Sequence, residues 1–137
     1  MGIVIPLRRR ATKRMHKRVT LMQPVALVDG FGTVATAQIA DISPGGLQVL
    51  CERYTMDSLH LSDRPPKASR AVPIDVHFKL PLSSGLVKLD VECRLVYVVP
   101  EGDLGEFVMG LQFLRFHYAG AHIVERFLKE AAMLELS

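Results

Sequence analysis

The stretch from Val87 to Val99 constrains the fold more than any other part of this sequence. Val87, Leu89, Val91, Cys93, Leu95, Tyr97 and Val99 alternate with Lys88, Asp90, Glu92 and Arg94, the period of two that marks a strand with one face buried. A strand of about 15 residues rising ~3.3 Å each spans about 50 Å if straight. A chain of 137 residues makes one domain, so a strand this long has to coil, as the strands of a barrel do.

Shorter runs supply the other walls. Val19 to Leu27 reads as a strand bulged near Pro24, which has no N–H to give a ladder, and Asp29-Gly30-Phe31-Gly32 is a hairpin turn. Thr33 to Ile42 and Leu47 to Cys51 follow as strands. Val72, Ile74, Val76, Phe78 and Leu80 alternate with Pro73, Asp75, His77 and Lys79, and Glu106 to Leu114 turns Phe107, Met109, Leu111 and Phe113 to one face. About six antiparallel strands at this spacing favour a small closed barrel over a sheet with open edges. Between them, Glu52 to Arg70 loses its period and contains Pro65-Pro66, a connection long enough to carry local structure or to serve as a functional flap. After Phe116 the period changes. Ile123, Phe127, Ala131 and Leu134, flanked by Val124 and Leu128, form a helical stripe with Glu125, Arg126, Lys129 and Glu130 opposite. The expected fold is mainly β, a six-stranded antiparallel β-barrel with a C-terminal α-helix packed over it.

Charge divides the chain in two. Seven of the 17 basic residues (Arg8, Arg9, Arg10, Lys13, Arg14, Lys17 and Arg18) and none of the 14 acids precede Val19, so the first 18 residues carry +7 and the remainder −4. Residues 1–18 read as a flexible basic arm and residues 19–137 as the barrel and its helix. Such an arm suits a solvated tail, a tether to nucleic acid or membrane, or half of a phosphate site. Cys51 and Cys93 sit in apolar alternations without metal-ligand spacing and read as buried free thiols. The five histidines form no ligand cluster, and no nucleophile with a paired base or phosphate loop with lysine appears, so neither a metal, a cofactor nor an enzymatic activity is expected. No apolar run reaches the ~20 residues of a membrane-spanning helix, and the apolar run Gly2 to Leu7 is too short, and its charges follow instead of preceding it, for a signal peptide. A cytoplasmic location is expected.

The polar chemistry concentrates at Asp41-Ile42-Ser43-Pro44-Gly45-Gly46. Asp41 and Ser43 can bend the chain by bonding nearby amides, Pro44 presets its own φ, and Gly45 or Gly46 can take φ > 0 and aim N–H groups outward. A turn of this kind suits an anionic, hydrogen-bonding ligand. Arg14 and Arg18 stand in Arg-x-x-x-Arg spacing at the end of the arm, directly before the first strand and 23 residues ahead of Asp41. Together with Phe107-x-x-Gly110-x-x-Phe113, these segments resemble the PilZ domain, the bacterial receptor module for cyclic di-GMP, over the chain from about Arg10 onward.

The resemblance implies a PilZ-like split barrel that binds cyclic di-GMP as ligand, changes conformation and signals to a downstream protein in motility, biofilm or exopolysaccharide control. It implies that Arg14 and Arg18 hold guanine edges and phosphate, that Asp41 accepts from guanine N–H groups, that Ser43 bonds phosphate and that Gly46 permits close approach. Arg10, Lys13 and Gly45 are further candidates, because Arg10 stands in the same spacing to Arg14. Two other readings are a basic-armed barrel that tracks nucleic-acid phosphates and a PilZ-type pilus or motility adaptor that binds no nucleotide.

Overall fold

The computed structural model describes residues 18–59, 72–103 and 105–136. Arg10, Lys13 and Arg14, with the rest of residues 1–17, and residues 60–71 of the long connection lie outside the described residues. Six strands follow one another: β1 (Val19–Val28), β2 (Val34–Ser43), β3 (Gly46–Glu52), β4 (Val72–Leu82), β5 (Gly85–Glu101) and β6 (Glu106–Phe116). Helix α1 (Arg53–Ser58) opens the long connection, and α2 (Gly120–Leu136) ends the described chain. All strand pairs are antiparallel, in the closed order β1-β2-β3-β6-β5-β4. Closure depends on a seam of four pairs from Val25↔Phe78 to Val28↔Asp75. Pro24 lies one residue beyond that seam, where its missing N–H costs no β1–β4 ladder bond.

The first hairpin forms where its turn residues place it. The Asp29 carboxylate accepts from the Phe31 and Thr33 amides at 2.8 and 2.9 Å, a local bond set that bends the chain without help from the rest of the fold. Inside the barrel, Leu27, Ile39, Ile42, Val49, Ile74, Val76 and Met109 are fully buried. α1 is the local structure of the long connection. Its Thr55 hydroxyl donates to the Thr36 carbonyl at 3.3 Å, and Leu59 just after it is buried in the core.

α2 covers the barrel through Val124 and Phe127, with Ile123 and Leu128 packed beside them. Its stripe is rotated from the sequence reading. Leu134 is exposed, and Glu130 is not on the outer side but accepts from the Ser83 amide at 2.8 Å and hydroxyl at 3.0 Å. That bonding to the β4–β5 hairpin holds the Glu130 carboxyl below its ordinary range.

β5 is 17 residues long, and it departs from simple alternation near its end. The register moves from Leu95↔Leu111 to Tyr97↔Gly110, so β5 has one residue more than β6 at this point. Each extra residue reverses which side chains face the core. Tyr97 and Val99, which alternation places inside, are therefore on the outer face, and Val98 packs on the core in their stead. Val98→Ala should cost about 1–2 kcal/mol in denaturant unfolding and Val99→Ala less than about 0.5. Equal losses would contradict the inverted parity.

Candidate functional site

A second bulge builds the site. Along β2 and β3 the pairs run Ile39↔Val49 and then Asp41↔Gln48, which leaves Ala40 as an extra residue. Ile39 points into the core, and two residues on at period two Asp41 would do the same; the bulge turns Asp41 outward and returns Ile42 to the core, where it is fully buried. A carboxylate facing the apolar interior without a partner costs several kcal/mol, so the bulge is what makes aspartate tolerable here. β1 is bulged alongside, between Thr20 and Gln23.

Arg18, the residue just before β1, reaches this corner. Its Nη1 donates to Asp41 Oδ1 at 2.5 Å across 23 residues of sequence. The guanidinium side chain is 47% exposed and the carboxylate 19%. A pair so exposed stabilises the fold by only ~0–1 kcal/mol. Its importance is the shape it holds out to solvent: a planar cationic fork with N–H groups to spare beside a carboxylate acceptor.

The turn after Asp41 is held from within. Ser43 is buried, and its hydroxyl lies 3.5 Å from the Gly46 carbonyl that it faces as donor. The Gly45 carbonyl accepts from the Phe113 amide at 2.9 Å and fixes the turn to β6. Pro44 and Gly45 are exposed at the tip. Neither Gly45 nor Gly46 takes a positive φ, contrary to the sequence reading, so the corner is formed by the register of the hairpin and not by left-handed backbone. Gly46 has a different reason to lack a side chain. A Cβ there would run into the Leu111 carbonyl of β6.

Of the residues singled out from sequence, the structure brings Arg18 and Asp41 into contact and sets Ser43, Gly45 and Gly46 in the adjoining turn. Arg10, Lys13 and Arg14 lie outside the described residues. The barrel adds neighbours that the motifs do not contain. Strand pairing carries the Asp41 row sideways through Gln48 on β3 and Gly110 on β6 to Tyr97 on β5. The next row runs from Ser43 through Gly46 and Gln112 to Arg94.

Titratable groups elsewhere are explained by the fold. Burial pushes the Cys51 thiol up to about 11 and the Cys93 thiol to about 12, so both are neutral free thiols of the core. His77 Nδ1 and Asp90 Oδ1 are 2.6 Å apart on β4 and β5, and the hydrogen bond lowers the Asp90 carboxyl. Among the described residues, no group of three His, Cys, Asp or Glu is arranged to hold a metal ion, and no helix is long and apolar enough to cross a membrane.

The family model for the PilZ domain matches residues 9–130, and the chain belongs to that family. Among solved structures it is similar to the Bacillus subtilis inhibitor of motility MotI/DgrA, with 13% identity, a TM-score of 0.64, and coverage of 90% of this chain and 52% of that one. PlzA of Borreliella burgdorferi, solved in complex with c-di-GMP, is 14% identical with a TM-score of 0.58, covering 94% and 55%. The K. pneumonia MrkH–c-di-GMP complex is 17% identical with a TM-score of 0.52, covering 90% and 53%. This chain thus spans about half the length of those proteins, and at such identities the likeness is one of fold. No curated protein matches it.

The packing at Gly46 gives a test independent of any ligand. Gly46→Ala should lower stability by about 1–3 kcal/mol in chemical denaturation, because the methyl group meets backbone that cannot swing aside. Unchanged stability would show that β3 and β6 do not approach as described.

Proposed function

We propose that this protein is a cyclic di-GMP receptor that works by binding and not by chemistry. The observation that carries the reading is the Arg18–Asp41 pair, held on the outer wall beside the Ser43–Gly46 turn by two residues 23 apart in sequence. Guanine O6 and N7 accept from the two prongs of a guanidinium, and the guanine N–H groups donate to a carboxylate. Arg18 and Asp41 offer both halves of that recognition at one place. Membership of the PilZ family supports the reading, as do the structures of PlzA and MrkH with c-di-GMP, whose fold this chain shares.

Arg14, four residues ahead of Arg18, supplies a second guanidinium to guanine or phosphate, with Arg10 and Lys13 adding positive charge nearby. The Gly45–Gly46 backbone meets phosphate, and the Ser43 hydroxyl joins it by turning away from the Gly46 carbonyl it faces. Neutralisation of the basic arm by the ligand is the conformational step that a downstream protein reads, in the control of motility, biofilm or exopolysaccharide in the cytoplasm. No cofactor takes part.

Isothermal titration with cyclic di-GMP tests the reading. The wild type should bind saturably, and Arg18→Ala and Asp41→Ala should each lose roughly 5- to 150-fold in affinity, the equivalent of the ~1–3 kcal/mol in a charge-assisted hydrogen bond, while both variants keep the wild-type melting temperature. Single-stranded RNA titrated at two salt concentrations should give no comparable saturation. Wild-type affinity in both variants would remove the pair from the site, and salt-sensitive binding of RNA alone would favour the nucleic-acid reading.

A further inference from the structure

We infer that the protein seats its own apolar segment Ile3-Val4-Ile5-Pro6-Leu7, in extended form, in a groove beside α2, and that this makes the basic stretch behind it a loop fixed at both ends. The seating holds with and without nucleotide; the consequence drawn for Arg14 rests on the receptor reading above.

The groove exists because the barrel closes along only part of its seam. β1 and β4 pair from Val25↔Phe78 to Val28↔Asp75, so residues 19–24 of β1 and 79–82 of β4 form no ladder with each other among the described residues. α2 lies beside this split, tied to the β4–β5 hairpin by the bonds from Ser83 to Glu130. Between the helix and the strand ends is a cavity of about 780 Å³. Its walls are mostly apolar, with Val19, Leu21, Pro81, Leu82, Phe127 and Ala131 among them. A recess of that size and character takes several side chains of a peptide.

The chain carries a segment of matching chemistry within reach. Ile3, Ile5 and Leu7 fall on one face of an extended strand, and Val4 and Pro6 on the other. Isoleucine and valine favour extended backbone, and Pro6 steers Ile5 away from helix. No charge interrupts these five residues, whereas the next three are Arg8, Arg9 and Arg10, so the apolar match ends where the segment does. Ten residues, 8–17, join Leu7 to Arg18, and ten residues span up to roughly 33 Å. Val19, directly after Arg18, already lines the groove, so the return needs only a fraction of that reach. A linker this short holds the segment at roughly millimolar effective concentration, ahead of a partner in dilute solution. A stretch fixed at both ends explores less space than one fixed at a single end. Arg14, inside it, is thereby kept near the Arg18–Asp41 pair, and nucleotide binding has less ordering to bring about.

Proton NMR of the full chain without nucleotide tests the seating. The methyl groups of Ile3 and Ile5 should show Overhauser contacts to the Phe127 ring. The double variant Ile3→Ser/Ile5→Ser should lose them and melt several degrees below the wild type, while Val4→Ser, on the other face, should keep them. A wild type without the contacts, or a double variant that melts with the wild type, overturns the proposal and leaves the groove to another partner. In a sample that mixes labelled and unlabelled chains, contacts seen only between chains would put a second copy's segment in the groove and overturn it as well. With cyclic di-GMP added, the double variant should bind roughly 3- to 10-fold more weakly than the wild type, and equal affinity would overturn the role given to the loop. A wild type that shows the contacts and binds no cyclic di-GMP ends the receptor reading and leaves the seating in place.

Discussion

Side-chain parity is the constraint on which this barrel depends. A strand that buries one face assigns every residue to core or solvent by counting in twos, and a single extra residue reverses the assignment from there on. Ile39 and Ile42 are both fully buried at a spacing of three, which is possible only because Ala40 is looped into the ladder. The same device at Val96 exchanges Tyr97 for Val98 at the core. Each bulge gives up regular pairing and in return places a polar or amphipathic side chain outside without opening a hole inside.

Rigid packing then holds what parity has sorted. Gly46 lets β6 come close enough that the Ser43–Gly46 turn and the Phe113 amide are bonded together, and Gly110 lets an aromatic ring lie against bare backbone. Two strand glycines that cost conformational entropy and contribute no side-chain packing are thus both accounted for by close approach. The polar groups of the outer wall are mounted on central strands of a closed barrel, so their spacing is set by the sheet.

Much of this was legible in the sequence, and the failures have a common cause. The six strands along the chain, the hairpin at Asp29 and the covering helix follow from alternation, turn residues and helical period, which are local signals. Motif spacing singles out Arg18 and Asp41, and the structure brings the two into contact. Alternation misplaces Tyr97 because Leu95-Val96-Tyr97-Val98-Val99 is apolar throughout, and a run without polar residues carries no parity. A usable signal lay on the partner strand, where Gly110 in mid-strand marks a place that something else approaches. The motif assigns Gly46 to the ligand and says nothing of a second reason for its missing Cβ, the close approach of β6, a contact between segments 65 residues apart (Gly46 and Leu111). Helical period alone assigns Glu130 to solvent and does not foresee the exposed Ser83 amide on the β4–β5 hairpin.

The central proposal is that Arg18 and Asp41, beside the Ser43–Gly46 turn, form the surface for cyclic di-GMP. Amide chemical shifts of the labelled protein, followed as the dinucleotide is added, test it most directly. The largest changes should map to Arg18 and to Asp41 through Gln48, with the His77–Asp90 wall and α2 nearly still. Changes centred on that wall or on α2, with Arg18 and the Asp41 turn unmoved, would contradict it.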